Sequence, residues 1–318
     1  MKQGDGMGPA LALQNVSKRY GAFQAVRDLS FEVPRGSICG FLGPNGAGKT
    51  STIRMILGLA PATSGRITIL GANDGRRVRD RLGFLPEERG LYRKMTPVDA
   101  IAFFAGLKGV PLSEGRRRAR AMLEAQGLGA AAKKKMKDLS KGMAQKVQLI
   151  AALAHEPEFV ILDEPFSGLD PVNQQGLETV IRDIAANGAT VLFSTHVMQH
   201  AERLCDKVVL IAGGRKAFEG TVDEARATAP RFLELEGDIA ADAAAALPGV
   251  ASVEVEGERL RAALKPGALG HEALKAAFLQ GLDVHTFQMR EPSLHDAFIG
   301  LTGADPDQTE TRDGETAR

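Results

Sequence analysis

A short segment near the amino terminus has the residue types and spacing of a phosphate-binding loop. It reads Gly43-Pro44-Asn45-Gly46-Ala47-Gly48-Lys49-Thr50, which fits the pattern G-x-x-x-x-G-K-[ST]. In this pattern the glycines let backbone N–H groups surround a phosphate, the lysine reaches the β- and γ-phosphates, and the hydroxyl can ligate Mg²⁺. A glycine-rich turn without a ligand is the alternative for looser matches. Because every fixed position agrees here, we predict a nucleoside triphosphate site that extends from Gly43 to Ser51.

Two adjacent carboxylates follow an apolar, strand-sized segment farther along the chain. Residues 159–162 are apolar, and Asp163 and Glu164 come directly after them. One carboxylate at such a place can hold Mg²⁺, directly or through water, while its neighbour orients and polarises the water that attacks the phosphate. Such a strand end is a weak signal alone and a strong one beside a phosphate loop. We therefore predict Asp163 as a metal ligand and Glu164 as catalytic, with the metal and Lys49 stabilising charge during the transfer.

The segments around these residues alternate between strands and helices. A predicted strand, 37–42, precedes the loop, and a predicted helix from Lys49 to about Gly58 follows it. Alternation resumes between residues 158 and 222, which predicts a parallel sheet with helices on its faces. Residues 80–155 read as mainly helical. Further strands are predicted at 11–13, 21–26, 29–33, 66–70, 190–194 and 207–211, and helices at 100–107, 113–124, 140–155, 174–186 and 199–204.

Beyond residue 222 the pattern changes to alanine-rich segments and segments with a period of two. Strands are predicted at 231–236, 251–255, 260–264 and 283–288, and helices at 239–247 and 271–280. The order β-α-β-β-α-β is that of a ferredoxin-like domain, which we expect to span residues 230–303. The polar and charged ends of the chain, 1–10 and 304–318, are predicted to be disordered.

With four further motifs in the same order, residues 11–222 resemble the nucleotide-binding subunit of an ATP-binding cassette (ABC) transporter. The motif Leu139-Ser140-Lys141-Gly142-Met143 stands at the place of the LSGGQ signature of that family, and Ser167-Gly168-Leu169-Asp170 resembles its D-loop. His196 resembles the switch histidine, and Tyr20 stands where the family stacks an aromatic ring on adenine. Singly, such a histidine or tyrosine is usually structural, but six motifs in register favour the functional roles.

The resemblance implies an α/β fold in which a P-loop NTPase core carries an antiparallel β subdomain and a helical subdomain at about 80–155. It also implies that ATP is bound between two ATPase subunits, as a homodimer or as a pair with a second ATPase chain. The amino end of a helix carries partial positive charge and free N–H donors, which suit a γ-phosphate. Ser140 and Gly142 would face the phosphates held by the other protomer, and Asp170 joins the nucleotide site through the D-loop. ATP binding would close the pair, and hydrolysis would reopen it.

The signature departs from the family pattern at two positions. Lys141 replaces a usual glycine and Met143 a usual glutamine, whereas the phosphate-facing Ser140 and Gly142 remain. Lys141 either adds positive charge near the nucleotide or projects into solvent, and the sequence leaves both possibilities open.

A second departure lies in residues 83–92, which stand at the place of the family's hinge loop. Glu87 replaces a glutamine that meets Mg²⁺ in the family. A carboxylate can approach the metal, but it only accepts hydrogen bonds, where an amide also donates them. We assign Glu87 to the metal site and residues 88–92 to contact with a membrane partner, with an ordinary charged turn as the alternative.

The composition disfavours two classes of function. The 318 residues include 40 basic and 39 acidic side chains, for a formal net charge of +1, whereas a dedicated nucleic-acid binder usually has a basic excess. No apolar run approaches the roughly 18 residues that a membrane span needs. The short basic runs 116–118 and 133–135 indicate a solvated helix face or a surface near the membrane. We therefore expect a cytoplasmic protein, with no nucleic-acid partner.

The hinge loop, the signature and the C-terminal extension together resemble the exporter branch of the family, of the sodium-efflux and drug-export type. Residues 291–298 resemble the terminal motif of those subunits. The resemblance implies an Mg²⁺-dependent ATPase that drives export by separately encoded permease subunits, on the inner face of the membrane. One alternative is a soluble ABC ATPase that acts on a partner such as the ribosome, which a single cassette disfavours. Another is a non-enzymatic ATP sensor, which would not need Glu164.

Overall fold

The computed structural model describes residues 8–88, 90, 92–257, 259–265 and 267–303, and the chain divides into two compact units between Val222 and Asp223. The predictions of disorder for residues 1–7 and 304–318, and part of the predicted partner contact (residues 89 and 91), lie outside the described residues. Ala10 is fully buried, and its N–H donates to the Val33 carbonyl at 2.9 Å. The ordered chain therefore starts earlier than the predicted boundary at residue 11.

The first unit contains two sheets and a group of helices. Its strands are β1 (Leu11–Tyr20), β2 (Phe23–Val33), β3 (Ile38–Leu42), β4 (Ser64–Ile69), β5 (Leu82–Leu85), β6 (Phe159–Asp163), β7 (Thr190–Thr195), β8 (Lys207–Ala212) and β9 (Arg215–Gly220). Its helices are α1 (Lys49–Ile56), α2 (Pro97–Gly106), α3 (Leu112–Ala125), α4 (Lys141–Leu153), α5 (Pro171–Ala186) and α6 (Met198–Leu204).

A six-stranded sheet in the order β5-β6-β7-β3-β8-β9 forms the centre of this unit. The strands from β5 to β8 pair in parallel, and β9 is antiparallel to β8. Every residue of β3, β6 and β7 is buried, as expected of interior parallel strands. Because these three strands are parallel neighbours, their carboxyl ends lie at one edge of the sheet, where α/β folds bind ligands.

A second, antiparallel sheet in the order β2-β1-β4 lies against the same core. Leu13 and Val16 of β1 share one hydrophobic cluster with Ile53 of α1 and Phe41 of β3. Short strands were predicted in this region, whereas β1 and β2 are long strands whose pairing with each other contains several shifts of register. The apolar alternation is interrupted at these irregularities, which explains why only fragments were predicted.

The helices α2, α3 and α4 form their own hydrophobic cluster, centred on residues such as Ile101, Leu123, Val147 and Ile150. The prediction that residues 80–155 are mainly helical is wrong at its beginning, because residues 82–85 form β5 and pair in parallel with β6. Four apolar residues are too few for periodicity to separate a strand from a helix. Among the described residues, no helix is both long and apolar enough to cross a membrane.

The second unit begins within α7 (Val222–Arg226) and contains a four-stranded antiparallel sheet. Its further elements are β10 (Phe232–Asp238), α8 (Ala241–Ala245), β11 (Val250–Glu256), β12 (Arg259–Leu264), α9 (Gly270–Leu279), β13 (Asp283–Arg290) and α10 (Leu294–Thr302). The sheet order is β11-β12-β10-β13. Together with the element order from β10 to β13, this confirms the predicted ferredoxin-like fold.

The terminal motif at residues 291–298 builds the beginning of α10, which the sequence analysis did not predict as a helix. Ser293 caps the helix, and its hydroxyl and the Asp296 carboxylate exchange hydrogen bonds with each other's backbone N–H groups. Asp296 also accepts a hydrogen bond from Arg261 of β12 at 2.5 Å. The Arg261 guanidinium lies 3.8 Å from the centre of the Phe232 ring. Since Leu294 and Phe298 are fully buried, the motif anchors α10 within its own unit.

Replacing Asp296 by asparagine should destabilise the second unit by about 3 kcal/mol at neutral pH, because Arg261 loses its buried carboxylate partner. Burial by itself raises the pKa of Asp296, but hydrogen bonds from Ser293 and Arg261 outweigh it and hold the pKa below the ordinary 3.8. The folded unit thus binds this proton more weakly than the unfolded chain does. The contribution is present above the unfolded-state pKa and is lost as the pH falls through the folded-state value.

Hydrogen exchange at β10 and β12 in the full-length chain, corrected for the intrinsic rate, measures this effect. We expect the wild type to lose protection as the pH falls from about 5 to about 2, and Asp296→Asn to have low protection already at about pH 6. Asp283→Asn removes an exposed carboxylate of β13 and should follow the wild type. Equal protection of wild type and Asp296→Asn near neutral pH would contradict the assignment.

Candidate active site

The loop between β3 and α1 forms one wall of an open pocket. Residues of the loop, of β2 and of the ends of β5 and β6 surround it. They are Phe23, Ala25, Pro44, Asn45, Gly46, Gly48, Lys49, Thr50, Ser51, Glu87 and Glu164. The structure thus brings together most of the predicted phosphate loop with two of the predicted carboxylates.

Two glycines allow the close backbone approach that this loop needs. A Cβ at Gly43 would lie 2.3 Å from the Ile211 carbonyl oxygen, and a Cβ at Gly48 would lie 2.6 Å from the Ala25 carbonyl oxygen. Gly48 also has a φ of 101° at the beginning of α1, where an L-residue would be strained. The first residues of α1, Lys49 to Ser51, line the pocket, so the amino end of this helix lies where such ends bind phosphate.

Lys49 is buried along the loop, with only 6% of its surface exposed. Its Nζ donates to the carbonyl oxygens of Gly43 at 2.6 Å and Pro44 at 3.2 Å, and lies 3.4 Å from Oε1 of Glu164. The ammonium group is thus held within the pocket, where phosphate oxygens can replace these carbonyl partners. This position fits the predicted binding and charge-stabilising role of Lys49.

Asp163 ends β6 and lies almost completely buried beside the loop. Its Oδ1 accepts a hydrogen bond of 2.5 Å from the Ser194 hydroxyl on β7. Burial, and secondly the negative charge of Glu164, raise the pKa of Asp163, although the hydrogen bond from Ser194 and the positive charge of Lys49 oppose the shift. A nearby cation would favour the ionised form.

Glu164 directs its carboxylate toward Lys49 and His196. Its Oε1 lies 3.1 Å from Nδ1 of His196, the residue that follows β7. Burial by itself raises the pKa of Glu164, but the hydrogen bond from His196 and the charge of Lys49 lower it below its ordinary value. The carboxylate is therefore ionised at neutral pH. The contact also places His196 at the site, as predicted.

The backbone at Glu164 has a φ of 46°, in the left-handed region that non-glycine residues rarely adopt. Its N–H is held by Ser194, at 3.1 Å from the carbonyl oxygen and 3.2 Å from the hydroxyl oxygen. Ser194 thus holds the Asp163 carboxylate and the Glu164 backbone, a role that was not predicted from sequence. A polar residue near the end of an otherwise apolar strand was the available signal.

Glu87 follows β5 and lines the pocket together with Glu164. Burial, followed by the negative charges of Asp163 and Glu164, raises the pKa of Glu87. Within the described part of the chain, no three acidic, histidine or cysteine residues make a complete metal cage. Mg²⁺ usually takes one or two carboxylates together with substrate phosphates, so oxygen donors on Thr50, Asp163 and Glu87 fit this ion.

Of two neighbouring aromatic residues, Phe23 lines the pocket and is 64% exposed, whereas Tyr20 does not line it. The two residues pair across the β1–β2 turn, and the Lys18 ammonium lies 4.8 Å from the centre of the Tyr20 ring. Tyr20 was predicted from sequence as the residue that stacks on adenine, and Phe23 was not. The position of Phe23 directly after the turn could have indicated it.

The signature residues lie outside this pocket of their own chain. Ser140 caps α4, and its hydroxyl accepts a hydrogen bond from the Met143 N–H at 3.3 Å. Asp170 caps α5 in the same way, and hydrogen bonds from Asn173 lower its pKa. A Cβ at Gly142 would lie 3.0 Å from the Asn173 side chain. The beginnings of α4 and α5 are therefore neighbours, and neither Ser140, Gly142 nor Asp170 lines the pocket.

Comparisons with known proteins identify the family. A model of ABC transporters matches residues 26–167, and one described as "ATP-binding protein DrrA1-3-like, C-terminal domain" matches residues 220–302. The ABC transporter ATP-binding protein YhaQ of Bacillus subtilis (strain 168), itself uncharacterised, is 36% identical over 92% of this chain and 99% of its own length. The chain belongs to the ABC transporter family. It is an ATP-binding subunit with the ATPase domain of that family, which confirms the predicted membership and activity.

Other relatives of this ABC subunit are named for resistance and export. The linearmycin resistance ATP-binding protein LnrL of Bacillus subtilis (strain 168) is 32% identical over 92% of this chain and 98% of its own. The Nod factor export ATP-binding protein I of Ralstonia nicotianae is 33% identical over 94% and 96%. A solved ATP-binding subunit of an ABC transporter superposes with a TM-score of 0.64 at 34% identity, covering 69% of this chain and 92% of that one.

Proposed function

We propose that this ABC subunit hydrolyses ATP at an interface between two ATPase subunits and couples that cycle to export by separately encoded permease subunits. The main support is the separation of two residue sets. Oε1 of Glu164 contacts both Lys49 and His196 beside one pocket. The beginnings of α4 and α5, with Ser140, Gly142 and Asp170, lie outside that pocket. They are therefore available to a nucleotide bound by a second ATPase subunit, either another copy or a different chain.

In this proposal each pocket residue has a distinct task. The N–H groups of the loop and Lys49 bind the phosphates, and the ionised Glu164 orients the attacking water, with His196 holding its carboxylate. Thr50 and Asp163 hold Mg²⁺ with Glu87 nearby, and the bound ion supplies charge stabilisation to the phosphate oxygens. Tyr20 stacks on the adenine, and Phe23 extends that aromatic surface.

The residues after Glu87 support contact with a permease. The Tyr92 ring packs at 5.8 Å from Phe103 and 6.4 Å from Phe104 of α2, yet Tyr92 stays 57% exposed. Gln148 of α4 also donates to the Glu88 carbonyl at 3.3 Å, so this segment is joined to the signature helix. We propose that a membrane subunit covers the aromatic group and that the chain is held on the cytoplasmic face of the membrane in this way.

The direction of transport is proposed from the relatives whose printed names include resistance or export and which match nearly the whole chain. A purification of the tagged full-length chain from detergent-solubilised membranes tests the partner. We expect a polytopic membrane protein to co-purify, and cells that express both proteins to accumulate less of the exported compound in a survey of antibiotics. Lys49→Ala should retain the partner and lose the export. Co-sedimentation with ribosomes, without a membrane partner, would overturn the proposal.

A further inference from the structure

Behind the nucleotide pocket, Glu178 of α5 and two residues of α6 form a buried polar cluster. Oε1 of Glu178 accepts hydrogen bonds from Arg203 Nε at 2.9 Å and from Arg203 Nη2 at 2.7 Å. Nδ1 of His200 lies 3.0 Å from Arg203 Nη2 and 3.4 Å from Oε1 of Glu178. Glu178 and His200 are 6% and 4% exposed, whereas the Arg203 side chain is 49% exposed, so the buried part of the cluster is the carboxylate and the imidazole ring.

The donors of Arg203 determine the protonation state of His200. An arginine side chain only donates hydrogen bonds, so Nδ1 of His200 must accept and the ring proton lies on Nε2. Burial, which outweighs the effect of Glu178, lowers the pKa of His200. His200 is thus a neutral ring whose orientation is fixed by the guanidinium group.

The neutral ring lies flat on Phe166. The ring centres are 3.9 Å apart at an interplanar angle of 12°, and Phe166 in turn packs edge-on against Phe193 of β7 at 5.9 Å. Phe166 is 4% exposed and lies in the turn that follows Glu164. This turn is closed by a hydrogen bond from the Ser167 N–H to the Glu164 carbonyl at 3.1 Å, so a movement of Phe166 moves Glu164.

The segment after β6 and the segment after β7 therefore contact each other at two places. Glu164 contacts His196 at the pocket, and Phe166, two residues after Glu164, stacks on His200. We propose that His200, oriented by Arg203 and Glu178, is a positioning residue that sets the placement of Glu164 relative to His196 and Lys49. This inference rests on the role of Glu164 in the proposed function.

The same cluster extends toward the second subunit. Glu178 lies on α5, the helix that Asp170 caps, and the Gln145 side chain of α4 donates to the Pro165 carbonyl. The turn between Glu164 and Asp170 is thus fixed on its buried side by Phe166 and at its edge by Gln145. A displaced His200 is expected to loosen the whole turn.

Steady-state hydrolysis by the full-length chain tests the inference. For His200→Ala we expect kcat to fall by about tenfold or more, while KM for ATP changes by less than about threefold, because a misplaced catalytic group lowers the rate without removing the phosphate contacts. His200→Phe keeps a ring against Phe166 but cannot accept the hydrogen bond from Arg203, so it should recover kcat only in part, to about threefold to tenfold below wild type. A purely structural role would lower the melting temperature of both variants and leave the kcat of the folded proteins unchanged.

Two further variants distinguish a loss of stability from a loss of positioning. Ile181→Val removes one buried methyl group from α5 without touching the ring stack, and should lower the melting temperature but leave kcat unchanged. If His200→Ala does not fold, Glu178→Gln keeps the side-chain shape, weakens the hold on Arg203 and should lower kcat by about threefold to tenfold. Wild-type kcat in the folded His200→Ala or Glu178→Gln protein, or an equal loss in the Ala and Phe variants, overturns the inference. If Glu164→Gln hydrolyses ATP normally, the proposed function fails instead.

Discussion

Replacing Lys49 by alanine is expected to abolish measurable ATP hydrolysis and to weaken nucleotide binding by about 100-fold, or about 3 kcal/mol, the sum of two charge-assisted hydrogen bonds at the low end of their range. Among the described residues that line the pocket, Lys49 is the one cation. Its ammonium group is already held at the loop by two carbonyl oxygens. Removing it leaves the backbone N–H groups as the remaining hydrogen-bond donors of the loop to the phosphates.

Equilibrium binding of a fluorescent ATP analogue and phosphate release measure these two effects. Lys133→Ala removes an exposed lysine and serves as the control, with expected wild-type values. Lys49→Arg should also fail, since the buried site leaves no space for a planar guanidinium group. Tight ATP binding by Lys49→Ala would show that the loop is not the phosphate site.

Replacing Glu164 by glutamine is expected to lower hydrolysis by about 10³-fold while ATP binding persists. The amide keeps the shape of the carboxylate but loses the charge that Lys49 and His196 surround. Because the pKa of Glu164 is lowered, the carboxylate is a weak base. Its main contribution should therefore be to orient and polarise water in its ionised form.

In the presence of ATP, the Glu164→Gln protein should accumulate as a dimer that sedimentation velocity detects, because closure is retained and reopening is blocked. Glu158→Gln changes an exposed carboxylate just before β6 and should neither slow hydrolysis nor trap a dimer. A monomeric Glu164→Gln protein that has ATP bound would refute the shared interface. Unchanged turnover would remove Glu164 from the mechanism.

The site residues that could be predicted from sequence belong to motifs that stand directly beside a recognisable strand. The loop before Lys49, the pair Asp163 and Glu164, and His196 all follow apolar strands. Parallel pairing of β3, β6 and β7 brings their ends to one edge of the sheet. The strand–helix alternation predicted a parallel sheet, but it did not predict that β3, β6 and β7 are neighbours in it, because strand order depends on long-range pairing.

Other features depend on contacts that no local pattern records. The edge strand β5 is stabilised by pairing with β6, although its own four residues carry no periodic signal. Ser194 bonds to Asp163, which is 31 residues away in the chain. Phe23 lines the pocket only because the fold brings the beginning of β2 beside the phosphate loop. The cluster of Glu178, His200 and Arg203 unites two helices whose residues look like an ordinary solvated face in sequence.

Because of the left-handed backbone at Glu164, the residue that best stabilises the fold at this position differs from the residue that hydrolysis needs. Such a conformation costs a glutamate about 1 kcal/mol or more, whereas glycine adopts it freely and asparagine tolerates it. A directed-evolution campaign that scored thermal endurance alone would accordingly enrich glycine or asparagine at this position. The variants selected in this way would be more stable proteins that no longer hydrolyse ATP.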